Sequence, residues 1–297
     1  SYRRFLFDVV EKSRARIVGL YGARGVGKTT LMLQLLKTHN LPVREAIYIS
    51  CDHPIFSGIS LFDFLEEFSQ KGGKIIFIDE IHKIPEFQVH LKSAYDFLDL
   101  RIIFSGSSAI SITNPDFARR FSMYKVPIFS LREYIELTQE ISLQSYSLVE
   151  IIEKHEDIAI HIINNLPDKK ILKVFYDYKE HGAYPFYFED PKKFLDRLND
   201  TISTALYSDL SVLCHISPDK INTLKKLLLT ICVSKPLELS VEKLASITGI
   251  TKTTLYKYIE YLARAELIIL IQNEAKRFKS IRKPDKLYQA NTSFLKA

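Results

Sequence analysis

The sequence is short of the features that mark metal-clustered, disulfide-stapled or membrane-spanning chains. Its 297 residues include only three cysteines, Cys51, Cys214 and Cys232. They lie far apart and form no CxxC or Cys/His cluster, so buried reduced thiols are expected, not a metal site or a disulfide. No apolar run reaches the roughly 18 residues that would span a bilayer. Ser1-Tyr2-Arg3-Arg4-Phe5 is followed by no long apolar stretch. No signal peptide is expected, and a cytoplasmic location with no membrane partner is expected. The chain does not start with methionine, as expected of a trimmed end. It has no internal repeat and no low-complexity segment. Glycine is scarce, with ten residues in all, so a glycine-rich motif is improbable by chance.

Hydrophobic residues make up 46% of the chain, which argues for packed cores over disorder. The length suits two or three small domains. The net charge of +6 is unevenly spread. From Ser211 onward, 15 Lys/Arg stand against 7 Asp/Glu, so this part carries +8 and the remainder is slightly acidic. A basic C-terminal part points to an acidic partner, nucleic acid first, with a solvated basic face as the plainer alternative.

Apolar runs that read as strands cover Arg16–Tyr21, Ala46–Ser50, Lys74–Ile78, Arg101–Phe104 and Met123–Phe129. Pro127 confines the last of these to a sheet edge. Helical periodicity covers Lys28–Lys37, Leu61–Phe68, Phe87–Leu98 and a short stretch from Pro115 to Phe121. Apolar strands alternating with helices predict an α/β fold whose parallel sheet is covered on both faces. Beyond Leu131 the pattern turns helical, over Tyr146–Asn165, Lys169–His181 and Pro191–Leu213. Three more helices, Asp219–Val233, Ser240–Thr248 and Lys252–Ala265, precede two strand-like runs, Leu267–Gln272 and Lys286–Ala290.

The chemistry is concentrated in Gly22-Ala23-Arg24-Gly25-Val26-Gly27-Lys28-Thr29, a GxxxxGK[ST] motif between an apolar strand and a helix. Such glycines let the backbone fold tightly and aim its N–H groups at phosphates. The helix beginning at Lys28, Thr29 and Thr30 adds its positive end. Lys28 supplies a point charge to the β- and γ-phosphates of ATP, or to the β-phosphate of ADP, and Thr29 offers its hydroxyl to Mg²⁺. Ile75-Ile76-Phe77-Ile78-Asp79-Glu80 carries two acids to the C-terminal end of a strand, where ligands sit in open parallel sheets. Asp79 is the expected second Mg²⁺ residue, and Glu80 the expected general base that activates water.

Together these residues resemble the AAA+ ATPases, in particular prokaryotic AAA-type ATPases with a C-terminal winged helix. Origin-recognition-type and signalling (STAND) ATPases are their relatives. The resemblance implies an AAA+ P-loop core over residues 1–140, a helical lid over 141–215 and a winged-helix domain over 216–297. It implies that the Arg101–Ser108 strand lies between the two motif strands, with Ser105 or Ser107 sensing the γ-phosphate. Arg119 and Arg120 match the place of an arginine finger that completes a neighbour's site in a homo-oligomer. His181-Gly182-Ala183-Tyr184-Pro185-Phe186 is similar to a lid motif whose proline, here Pro185, touches the base; Ala183 replaces one of its glycines. No sensor-2 arginine stands out, and Arg197 is the nearest lid candidate. Relatives often carry a further nuclease-like region, which is not expected in a chain ending at Ala297.

Ser240–Thr254 reads as helix, glycine turn, helix, with Lys252, Thr253, Tyr256 and Lys257 on the presumed recognition helix. The basic loop with Lys276, Arg277, Lys279, Arg282 and Lys283 takes the place of a wing. The leading expectation is an ATP-hydrolysing switch whose winged helix engages duplex DNA. The alternative is a signalling ATPase whose winged helix binds protein. A small-molecule kinase fits less well, because Asp79-Glu80 suits water activation.

Overall fold

A computed structural model describes residues 2–108, 120–167, 169–211, 214, 216–234, 240–271 and 286–296. Five strands form one sheet: β1 (Ile17–Gly22), β2 (Ala46–Ser50), β3 (Ile75–Asp79), β4 (Arg101–Ser107) and β5 (Ser122–Lys125). Their order is β2-β3-β4-β1-β5, and every pairing is parallel. β4 therefore lies between the strands that precede the two phosphate-site motifs, as the resemblance implies. β5 is at an edge and shorter than the expected Met123–Phe129. Pairing carries on through Val126, whose N–H donates to Tyr21 O at 2.7 Å. It ends there because Pro127 has no N–H to give.

Strand alternation sorts the core residues into two layers. Ile75 and Phe77 of β3 face one layer with Leu31, Met32 and Leu35 of α2 (Lys28–His39). Ile76 and Ile78 face the other, with Leu61 and Leu65 of α3 (Leu61–Gln70) and Leu91 of α4 (Phe87–Phe97). β3 is buried along its whole length. Each such side chain contributes roughly 1.5–3 kcal/mol on burial. The apolar alternation thus holds in place the strand that delivers Asp79.

Two helices escape the sequence pattern. α1 (Leu6–Glu11) is too short for its periodicity to show. α5 (Leu131–Gln139) starts at a capping box in which Ser130 and Glu133 satisfy each other's backbone N–H groups. α6 (Leu148–Asn165) begins two residues later than expected, at a second capping box between Ser147 and Glu150. α7 (Ile171–Asp177) gives way to a π turn, Tyr178–Gly182. The expected Pro191–Leu213 helix is a 3-10 turn, then α8 (Phe194–Thr204), then a second π turn, Ala205–Leu210. The expected Pro115–Phe121 helix falls mostly outside the described residues.

The C-terminal unit consists of α9 (Pro218–Val233), α10 (Val241–Thr248), α11 (Lys252–Arg264) and an antiparallel pair, β6 (Ile268–Ile271) and β7 (Lys286–Gln289). Gly249 caps α10 at φ 70°, a left-handed conformation that glycine adopts without strain. Thr251 then caps α11, its hydroxyl accepting from Thr254 N–H. Leu224, Leu227, Leu244, Leu255, Ile259 and Leu262 pack between the helices. This unit lies beside the sheet edge, where Lys125 of β5 pairs with Glu266 at 2.9 Å. A cavity of about 380 Å³ lies along the seam, lined among others by Pro127, Tyr184 and Ile268. Among the described residues, no helix is long and apolar enough to cross a membrane.

Candidate nucleotide site

The P-loop leaves β1 at Gly22 and enters α2 through Gly27, whose φ of 92° sets the left-handed turn into the helix. Gly25 takes a φ of 76°, and a Cβ there would lie 2.6 Å from the Phe186 ring. Phe186 therefore packs directly on the loop, and only a residue without a side chain fits. Pro185 is adjacent, with its Cγ 3.6 Å from where a Cβ on Gly27 would stand. The structure thus brings Pro185 against the P-loop. Arg197 is elsewhere: it pairs with Glu189 at 2.7 Å and lies over the Phe186 ring.

Lys28 is buried, and its ammonium donates to the carbonyls of Gly22 and Ala23, both at 2.8 Å. Burial pushes its pKa below the usual lysine value, and the nearby Glu80 and Asp79 carboxylates work against that shift. Thr29 Oγ1 donates to Asp79 Oδ2 at 2.6 Å. Asp79 Oδ2 also accepts from the Tyr48 hydroxyl at 2.8 Å, and Oδ1 accepts from the Ser105 hydroxyl. Burial and the bond to Asp79 hold the Tyr48 phenol above its ordinary pKa. These contacts leave Asp79 firmly oriented beside Thr29.

The two candidate sensor serines differ in their hydrogen bonding. Ser105 is committed to Asp79. Ser107 Oγ is buried and has no hydrogen-bond partner, which leaves it able to meet a ligand. Arg120 lies 3.8 Å from Asp96 of its own chain and is half-exposed. Arg119 lies outside the described residues.

Glu80 departs from strand geometry, with φ 54° and ψ 39°. Consecutive residues of a strand point to opposite faces. The left-handed turn breaks that alternation and carries Glu80 to the loop side, where its Oε2 lies 3.5 Å from Arg24 Nη2. Arg24 itself forks onto Asp209 of the lid, with Nε to Oδ2 and Nη2 to Oδ1 both at 2.9 Å. His82 Nε2 stands between the same carboxylates, 3.3 Å from Glu80 Oε2 and 3.4 Å from Asp209 Oδ1, aligned for a hydrogen bond with neither. Burial drives the Asp209 pKa upward, but its contacts with His82 and Arg24 outweigh that and hold it below the carboxylate range. Tyr48, His82 and Asp209 were not foreseen from the sequence. His82 stands two residues past the acid pair and Tyr48 in the middle of β2, but nothing local marks Asp209.

The residues present suit a Mg-bound nucleoside triphosphate. Thr29 and Asp79 set a hydroxyl and a carboxylate side by side, the hard oxygen donors that Mg²⁺ takes along with phosphates. Ser107 is paired in register with Gly22, where the glycine cradle begins.

Residues 14–135 match the family described as an AAA domain. That stretch contains the whole P-loop, Asp79 and Glu80. Residues 172–297 match a family described as a domain of unknown function, DUF8612. Over 96% of its length the chain is 27% identical to the uncharacterized protein MJ1637 of Methanocaldococcus jannaschii, and it covers 64% of that protein. Over 90% of its length it is 24% identical to the uncharacterized protein MJ1544 of the same organism, covering 58% of it. The chain thus spans about three fifths of the length of these relatives. Among solved structures, AMPPCP-bound DnaA from Aquifex aeolicus is similar over 87% of this chain and 86% of its own, at 13% identity and a TM-score of 0.34. An overlap at that score is loose.

Proposed function

We propose that the chain is an AAA+ ATPase that acts as a molecular switch: it binds ATP, hydrolyses it with Mg²⁺, and changes how its lid and C-terminal unit meet a partner. One observation carries the reading: Lys28, Thr29, Asp79 and Glu80 meet at the C-terminal end of a parallel sheet, beneath a lid that touches the loop.

Loop N–H groups and Lys28 would bind the phosphates. Thr29 and Asp79 would hold Mg²⁺, which supplies charge neutralisation between the β- and γ-phosphates. Glu80 would accept the proton of the attacking water. Ser107 would donate to the γ-phosphate, Pro185 would touch the base, and Arg119 or Arg120 would complete the site of a neighbouring copy.

The C-terminal unit reads as a winged helix, and the partner as duplex DNA. On α11, Lys252, Thr253 and Lys257 are exposed and Tyr256 is half-buried. Lys252 is partly committed, pairing with Glu242 at 2.8 Å. The expected wing, Lys276 to Lys283, lies outside the described residues. The signalling alternative has one observation in its favour: Leu148, Val149 and Ile152 of α6 and Leu172 of α7 are exposed apolar side chains suited to a protein contact.

The test is phosphate release by the full chain, with and without duplex DNA, at several salt concentrations. Release that needs Mg²⁺ and changes with DNA is expected. The log of DNA affinity should fall with log salt by about 0.9 per phosphate neutralised. Charge reversal at Arg277, Lys279, Arg282 and Lys283 should flatten that slope. ATP hydrolysis with no duplex binding at low salt would remove DNA and favour the signalling reading.

A further inference from the structure

The lid reaches the phosphate site with a carboxylate. Asp209 is 3% exposed and sits in the π turn that follows α8. A π turn adds a residue to the helical turn and re-aims the side chains after it. Here Ala205, Leu206 and Leu210 stay in the apolar core while Ser208 and Asp209 point across to the sheet. Ser208 Oγ accepts from Lys83 Nζ at 2.7 Å. Asp209 accepts both arms of Arg24 at 2.9 Å and has His82 Nε2 3.4 Å away. Two adjacent lid residues thus grip the P-loop and the turn that carries Glu80.

The arrangement is a competition. Arg24 Nη2 lies 2.9 Å from Asp209 Oδ1 and 3.5 Å from Glu80 Oε2. His82 Nε2 is almost equidistant from the two acids. The Arg24 fork is spent on Asp209, so Glu80 feels it only at the edge of hydrogen-bond range. Without the Asp209 charge, Glu80, already 3.5 Å from the guanidinium, is placed to take it, and a fork pairing would occupy the oxygens that must accept from water.

We infer that Asp209 is a positioning residue: by holding Arg24 it keeps the oxygens of Glu80 free for water. This inference rests on the ATPase reading above. It also makes catalysis depend on the contact through which Asp209 and Ser208 meet the core.

The test is a cycle on the full chain, comparing the wild type with Asp209→Asn, Asp209→Glu, Arg24→Gln and the pair Arg24→Gln with Asp209→Asn. Three quantities are read: kcat, affinity for a fluorescent ATP analogue, and the unfolding midpoint without nucleotide. In Asp209→Asn, kcat should fall by about tenfold or more while nucleotide affinity changes by less than about threefold. Asp209→Glu should recover part of the rate. The double variant should be faster than Asp209→Asn alone, because no guanidinium remains to occupy Glu80. In nucleotide-free protein, Asp209→Asn should lower the unfolding midpoint more when Arg24 is present than when it is Gln. A lid pin with no positioning role predicts a double variant no faster than Asp209→Asn, and that result overturns the inference. So does an unchanged kcat in Asp209→Asn when the wild type turns over. No phosphate release by the wild type would overturn the ATPase reading and the positioning role with it.

Discussion

Glu80→Gln is expected to hold ATP and leave it uncleaved. The amide keeps the size of the carboxylate, so the P-loop, Lys28 and the Thr29–Asp79 pair remain as they are. What is lost is the group that accepts the proton of the attacking water, and general-base catalysis is commonly worth about 10²–10⁴ in rate. Single-turnover hydrolysis should fall by that order, with nucleotide affinity near the wild-type value. Lys28→Ala should behave differently. It removes the buried ammonium at the centre of the loop, so binding itself is lost, and titration with a fluorescent ATP analogue separates the two variants. Full-rate cleavage by Glu80→Gln would take that residue out of the mechanism.

The second large effect is on stability. Arg4 is buried and forks onto Glu133 at 2.7 and 3.0 Å. Its remaining donors bind the carbonyls of Val26 at 2.9 Å and Pro127 at 2.8 Å, and it lies over the Phe129 ring. Glu133 is equally buried and also caps α5. Removing either partner strands a charge in the interior, a change that costs about 3–5 kcal/mol. Arg4→Met and Glu133→Gln should each lower stability by about that amount in denaturant unfolding. The double change Arg4→Met with Glu133→Leu should recover much of the loss, because an apolar pair leaves no uncompensated charge. Since Arg4 also ties down Val26 inside the P-loop, Arg4→Met should weaken nucleotide binding as well. A loss under about 1 kcal/mol in both single variants would mean the pair is far better solvated than its burial implies.

The proposed phosphate site is legible where its chemistry is contiguous. Backbone N–H groups, Lys28 and Thr29 must follow one another to surround a phosphate, so they leave a motif. The strands were legible because burial on both faces leaves apolar runs. Their ends were less so, since β4 continues to Ser107 through Ser105 and Gly106, residues that look like a loop in composition. α5 was missed although its capping box can be read at Ser130 and Glu133. The π turns leave no periodic trace, because they interrupt the 3.6-residue repeat by one position. Asp209 was out of reach for a different reason: it is 185 positions from its partner Arg24, and only the closure of lid on core brings them together. The different surroundings of Ser105 and Ser107 are hidden from the sequence for the same reason, since which hydroxyl is already in use depends on the packing.

Glu80 reaches its place through a left-handed backbone conformation that residues with a Cβ adopt at a cost of about 1–2 kcal/mol. Glycine takes the same conformation almost freely. The fold would therefore be better off without the side chain on which the proposed chemistry depends, and Glu80→Gly should give an inactive protein that melts no lower than the wild type. Selection for durability alone would drift toward glycine at this position; retaining the acid there is a standing sacrifice of robustness to turnover.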